Sequence, residues 1–157
     1  MTVKLYSCGM MKNHREREMM KALVRDLIQR FSDFDDCTIL VEPEFKDEEF
    51  GISLKPDCII FKDNIFIILE LKSWLGEFEI DIEDHIWEAI GNCELQYYID
   101  KLDEKPDIQV IRYSESLKEL LLNKFYKEIQ PEKYPKLSLI KSEKPVQWAI
   151  ILREYVI

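Results

Sequence analysis

The chain reads as an α/β protein, a mixed central sheet flanked by helices, and three observations predict it. Residues 14–31 place Met20, Leu23, Val24, Leu27, Ile28 and Phe31 at helical spacing. PDCIIF (56–61) and IFIILELK (65–72) are nearly unbroken apolar runs, as in central strands buried on both faces. Strand and helix patterns then alternate toward the C-terminus, which requires a sheet covered by helices. A length of 157 residues suits one domain over 1–157, with a core from about 14 to 115 and a C-terminal helix and strands over 116–157.

The elements follow in order. After the first helix, CTILVEPEF (37–45) reads as a strand and the acidic DEEFGISLK segment as a loop. Lys62-Asp63-Asn64 separates the two apolar runs with turn chemistry, Asp63-Asn64 serving as a two-residue hairpin loop. Trp74-Leu75-Gly76 turns the chain, EFEIDI alternates as a strand, and a second amphipathic helix is expected from about Glu83 to Leu102, weakened by Gly91. IQVIRY (108–113) reads as another strand, and Ser116 with Glu119 as a capping box opening a helix through Tyr126. Pro131 and Pro135 mark a loop, and LSLI and VQWAIILREYVI read as closing strands.

Composition excludes several classes. With 46% hydrophobic and 34% charged residues the chain is neither disordered nor low in complexity, and no apolar stretch is long enough for a bilayer span. The N-terminus lacks a signal-peptide pattern, so a soluble, cytoplasmic protein without a membrane partner is expected. Cys8, Cys37, Cys58 and Cys93 show no paired spacing for zinc, and Cys58 and Cys93 fall in segments that read as core, which fits a reducing compartment. The net charge of -9 runs against a nucleic-acid binder. It is uneven: from Glu77 to Glu104 there are ten acidic positions and only Lys101, whereas Lys118, Lys124, Lys127, Lys133, Lys136, Lys141 and Lys144 cluster beyond. Solvated faces of ordinary helices account for this equally well.

The chemistry lies in the hairpin. If Asp63-Asn64 is its loop, Lys62 faces Ile65 and Asp57 lies opposite Glu70. Two opposed carboxylates in an apolar setting are unfavourable unless something positive neutralises them, and a divalent cation does so. Lys72 projects from the same face as Glu70 and can orient or deprotonate an attacking water. Oxygen ligands point to Mg²⁺ or Mn²⁺. At 100° per residue Glu16 aligns with Met20, Leu23 and Leu27, so it faces the sheet; complementing the helix N-terminus is an equal alternative. Acid-x-Lys triplets are common, Asp103-Glu104-Lys105 being another, so the triplet gains meaning only from its buried strand and the opposing Asp57.

Pro56-Asp57, twelve residues, then Glu70-Leu71-Lys72 resembles the PD-(D/E)XK nuclease signature, over roughly residues 14–115. ERxxMxxLV from Glu16 and PDCIIFKDNIFIILELKS look like the first helix and catalytic hairpin of archaeal Holliday junction resolvases. Glu70-Leu71-Lys72-Ser73-Trp74-Leu75-Gly76, Trp87, and Asn92 with Gln96 follow the motif order of the nuclease-related domain, a branch of the same superfamily; Cys93 stands where that branch often has proline. The resemblance implies a restriction-endonuclease-like fold with an αβββαβ core. It also implies a metal held by Asp57, Glu70 and the Leu71 carbonyl, reached by Glu16 directly or through water, with Lys72 serving the attacking water and Gln96 beside that lysine. Tyr97 and Tyr98 are core or base-stacking aromatics. His14 matches the extra histidine ligand of viral cap-snatching endonucleases in order only, its helical angle being off the Glu16 stripe, and His85 falls in the first turn of the expected second helix. The activity implied is phosphodiester hydrolysis, with DNA favoured over RNA as partner. A catalytically silent nuclease-like subunit of a larger assembly is the alternative, and a homodimer or protein partner is compatible with either.

Overall fold

The computed structural model describes residues 3–7, 9, 13–31, 37–49, 51–62, 65–121, 146–152 and 155–156. Ten strands and three helices lie among them: β1 (Val3–Ser7), α1 (His14–Phe31), β2 (Cys37–Val41), β3 (Phe45–Asp47), β4 (Ile52–Leu54), β5 (Cys58–Lys62), β6 (Ile65–Lys72), β7 (Glu77–Asp81), β8 (Ile86–Ile90), α2 (Cys93–Asp100), α3 (Pro106–Leu120), β9 (Val146–Leu152) and β10 (Tyr155–Val156). Six strands form a mixed sheet in the order β1-β2-β5-β6-β9-β10, while β3-β4 and β7-β8 are separate hairpins. Within it α1, β2, β5, β6, α3 and β9 make the αβββαβ order, with β9 parallel to β6.

Helix α1 begins where Asn13 Oδ1 accepts from the amides of Arg15 (2.9 Å) and Glu16 (3.2 Å), two donors that the first helical turn leaves without intrahelical partners. Its Met20 and Leu27 pack on Cys37, Ile39, Cys58, Ile60, Leu69 and Leu71, one face of the sheet. The other face presents Ile59, Ile68, Ile150 and Leu152 to Trp87, Ile99 and the α3 residues Val110, Leu117 and Leu120. Strands β5 and β6 are therefore covered on both sides, which is why their sequences do not alternate.

The hairpin pairs Lys62 with Ile65 and Cys58 with Leu69, the register expected from a two-residue connection; Asp63 and Asn64 themselves lie outside the described residues. Elsewhere the structure corrects the sequence reading. CTILVEPEF is not one strand: β2 stops at Val41, where Glu42 adopts φ 49°, and Pro43 follows. The segment expected as an acidic loop supplies the β3-β4 hairpin, with Ile52 and Leu54 buried and Ser53 exposed between them.

The helix expected over 83–102 is a strand, a glycine turn and a shorter helix. Trp87 and Ala89 turn inward while Ile86, Glu88 and Ile90 are exposed, a period of two that the i, i+4 spacing of Ile86 and Ile90 disguised. Gly91 at φ 70° reverses the chain, and Asn92 Oδ1 accepts from Leu95 N at 3.1 Å to start α2. IQVIRY is likewise no strand. Pro106 opens a continuous helix whose buried positions, Pro106, Asp107, Val110, Tyr113, Ser114, Leu117 and Leu120, recur at helical spacing, so Ser116 and Glu119 lie inside α3 rather than at its start. The strand that completes the core is thus β9, beyond residue 115.

Strand β1 carries no expectation from the sequence; it is an edge strand, mostly exposed, paired parallel to β2. Residues 122–145 are outside the described set, so the end of the expected helix at Tyr126, the loop at Pro131 and Pro135, the LSLI strand and the lysine cluster beyond Lys118 lie there. Cys37 and Cys58 are buried but Cys93 is exposed at the start of α2, contrary to the core position read for it. Among the described residues no helix is long and apolar enough to cross a membrane.

Candidate active site

The β5-β6 register carries directly to the acids. Cys58 opposes Leu69, so one step outward sets Asp57 across from Glu70, and the two segments exchange hydrogen bonds: Asp57 N donates to Glu70 Oε1 (3.2 Å) and Leu71 N donates to Asp57 Oδ2 (2.8 Å). Alternation places Glu70 and Lys72 on the sheet face that carries Ile68. Glu70 is only 3% exposed. Burial, then the negative charge of Asp57, pushes its carboxyl up to about 9. Asp57 is also raised by burial, opposed by hydrogen bonds from Leu71 N–H and from the Glu70 carboxyl and by the charge of Lys72. Burial therefore disfavours ionising both carboxyls of the pair.

Glu16, in the first turn of α1, comes to the same place from the opposite side of the sheet. It is half-buried, and its carboxyl is raised by burial first, then by Asp57, with Lys72 acting in the other direction and Glu42 in the same one. The first-helix acid, both hairpin acids and the lysine are thus brought together. Lys72 Nζ stands 5.8 Å from the centre of the Trp74 ring. Tyr113 of α3 belongs to the same electrostatic neighbourhood: burial raises its phenol, as do the charges of Glu70 and Asp57, while a hydrogen bond from Gln109 (3.3 Å) lowers it.

Two site residues escaped the sequence reading. Glu42 continues β2 beyond Val41, which pairs with Cys58, so it meets Asp57: its amide donates to the Asp57 carbonyl at 2.8 Å. Its Oε2 is buried without a hydrogen-bond partner among the described residues, and a Cβ on Gly9 would come within 3.1 Å of it. Only the β2-β5 pairing, unknown from sequence, singles this acid out from its neighbours in VEPEF. Tyr113 was hidden because its segment read as a strand.

Gln96 is placed differently from the other site candidates. Its Oε1 accepts from Ala89 N (2.7 Å), and its Nε2 donates to the Trp87 carbonyl (3.1 Å) and to Asp100 (2.8 Å). These contacts fasten α2 along β8 and leave its amide turned to that strand rather than to Lys72. His85 is not in a helix; it sits at φ 57° in the β7-β8 turn, its Nδ1 2.5 Å from Asp107 Oδ2. His14 is exposed at the start of α1 and lines a cleft beside Glu16.

The donor chemistry suits a hard cation. Glu16, Asp57 and Glu70 offer carboxylate oxygens, whereas burial pushes the neighbouring Cys58 thiol up to about 12 and keeps it out of metal chemistry. As placed, no three His, Cys, Asp or Glu side chains among the described residues stand close enough together to hold an ion. In the hairpin Glu70 Oε1 is turned onto the Asp57 amide and Asp57 Oδ2 onto the Leu71 amide.

A family model, the nuclease-related domain, matches residues 13–146, from the Asn13 cap of α1 to the first residue of β9. The chain belongs to the nuclease-related domain family. That family lies in the PD-(D/E)XK-like nuclease superfamily, and the match extends past the 14–115 span legible from motifs, as the position of β9 requires. Comparisons with curated proteins and with solved structures give no match. Membership gives the chain a nuclease-related function, and Asp57, Glu70, Leu71, Lys72 and Trp74 all fall within the matched span.

Proposed function

We propose that this nuclease-related domain is a metal-dependent nuclease that hydrolyses phosphodiester bonds, in DNA before RNA. The observation that carries the reading is the buried Asp57-Glu70 pair, with Lys72 on the same strand and Glu16 arriving from α1. A pair of acids so buried is unfavourable for folding as long as both are charged, and a structural role needs no second carboxylate there. Mg²⁺ or Mn²⁺ would be held by Asp57, Glu70 and the Leu71 carbonyl, with Glu16 reaching it directly or through water. When bound, the ion activates water and stabilises charge on the phosphate. Glu70 would hold the cation in its ionised form. Lys72 orients the water and neutralises the phosphorane-like charge, and Gln96 acts at a distance by holding α2 on β8.

The competing reading, a catalytically silent subunit that works through a partner, is favoured by the net charge of -9. The test is to incubate purified protein with linear, circular and single-stranded DNA and with RNA, in Mg²⁺ or Mn²⁺. Wild-type cleavage that Glu70→Ala and Lys72→Ala both abolish is the expected result. Cleavage that survives both substitutions removes the assigned site, and no cleavage of any substrate favours the silent subunit.

A further inference from the structure

Beside the acids runs an open cleft of about 810 Å³, whose lining includes His14, Arg15 and Glu16 from the first turn of α1 and Trp74, Leu75 and Tyr98 opposite them. Glu16, one of the site acids, lines it, as does Ser73, the residue after Lys72. Its volume is in the range of small-molecule sites. The wall is unusual for a surface so acidic. Tyr98 is 54% exposed and Leu75 54%, and the half-buried Trp74 ring meets Tyr98 at 6.1 Å and 83°, forming an aromatic corner. The rear of Trp74 is backed by Trp87 (6.1 Å, 84°) and Phe78 (6.2 Å), which fixes the corner in place. Arg15 supplies a cation on its lining, and Lys72 Nζ stands 5.8 Å from the centre of the Trp74 ring.

We infer that this cleft seats an unpaired base of a single-stranded stretch of the substrate, stacked in the Trp74-Tyr98 corner, with the adjoining phosphates toward Lys72 and Arg15. The inference rests on the nuclease reading and adds the strand structure it leaves open. Two physical points select a single strand over a duplex. A base inside a duplex has no free face to offer an aromatic ring, whereas every unpaired base does. Duplex binding draws on neutralising many phosphates, for which a chain of net charge -9 is poorly suited, while stacking is indifferent to net charge. Glu16 and Glu94 also line the cleft, and they disfavour a bound segment that presents phosphate rather than base to that wall.

Tyr97 provides an internal control, being 62% exposed on the same helix but outside the cleft, with Lys101 Nζ over its ring at 4.4 Å. The experiment measures binding of a labelled 15-nucleotide single strand and of its blunt duplex to the full chain carrying Glu70→Gln, in Ca²⁺, by fluorescence anisotropy, so that no cleavage is needed. The single strand should bind at least about tenfold more tightly than the duplex. Tyr98→Ala should weaken single-strand binding about five- to hundredfold, Tyr98→Phe should retain it, and Tyr97→Ala should leave it unchanged. Trp74→Phe should reduce the quenching of tryptophan fluorescence by the strand. Equal affinity for strand and duplex, or equal effects of Tyr97→Ala and Tyr98→Ala, would overturn the inference. If the Tyr98-dependent binding is found but the wild type cuts nothing in Mg²⁺ or Mn²⁺, the cleft stands and the nuclease reading alone fails.

Discussion

Two buried acidic sites in this protein solve the same problem in opposite ways. Asp107, fully buried at the start of α3, receives Trp87 Nε1 at 2.9 Å on one oxygen and His85 Nδ1 at 2.5 Å on the other. A carboxylate can only accept, so the histidine proton lies on Nδ1, and both donors come from the β7-β8 hairpin, which is thereby fixed to α3. Among the described residues Asp57 and Glu70 receive two backbone amides between them, plus each other, and burial and then the charge of Asp57 push Glu70 up to about 9. An acid matched by side-chain donors is a structural fastening. Acids matched mainly by one another retain affinity for a proton or a cation, and that is the property a metal-dependent nuclease needs.

The comparison is tested most strongly by activity. Glu70→Ala or Lys72→Ala should lower the cleavage rate by about 10³-fold or more, some 4 kcal/mol of transition-state stabilisation, with the fold intact by circular dichroism. Asp107→Ala should behave the other way round. Losing two hydrogen bonds to a buried carboxylate should cost about 3 kcal/mol in urea unfolding, while cleavage per folded molecule is retained. Should Asp107→Ala abolish cleavage without loss of stability, the division between the two sites is wrong.

Metal should distinguish the sites next. Ca²⁺ or Mn²⁺ at about a hundred times its dissociation constant should stabilise the wild type by about 2.7 kcal/mol, read as a rise in Tm. Asp57→Asn should remove that response and raise the metal-free Tm, because it removes a carboxylate whose burial disfavours its charge. The remaining comparison is the dependence on pH. Glu70 is raised in the folded state from its ordinary 4.5 to about 9, so the native protein binds the extra proton across that window. Its contribution is fully present below about 4.5 and is lost as pH rises toward 9. Metal-free wild type should lose stability over this range relative to Glu70→Gln, and parallel profiles for the two proteins would remove the proton from Glu70.

Local rules settled some features and misread others for identifiable reasons. The β5-β6 hairpin was legible because its register follows from the number of residues in the turn, and one number then fixes that Asp57 faces Glu70. Helix α1 was legible because its apolar stripe recurs at helical spacing, and that stripe is the face packed on the sheet. The segment 83–113 was misread in both directions, since Ile86 and Ile90 mimic a helix and IQVIRY mimics a strand. Packing against the sheet decided between these: Trp87 must reach Asp107 from a strand, and Val110, Tyr113 and Leu117 must share one helical face.

The sequence by itself therefore determined the αβββ half of the fold, the family motif and the opposed acids, all of which depend on residues close together in the chain. Only the tertiary structure decided that Glu42 and Tyr113 join the acids, that Gln96 is committed to β8, and that Trp74 and Tyr98 form an exposed corner beside Lys72. Each of those depends on elements distant in sequence meeting at one end of the sheet. Strand pairing across long separations and the sidedness of packed helices are set by the burial of the whole core, which no local spacing encodes.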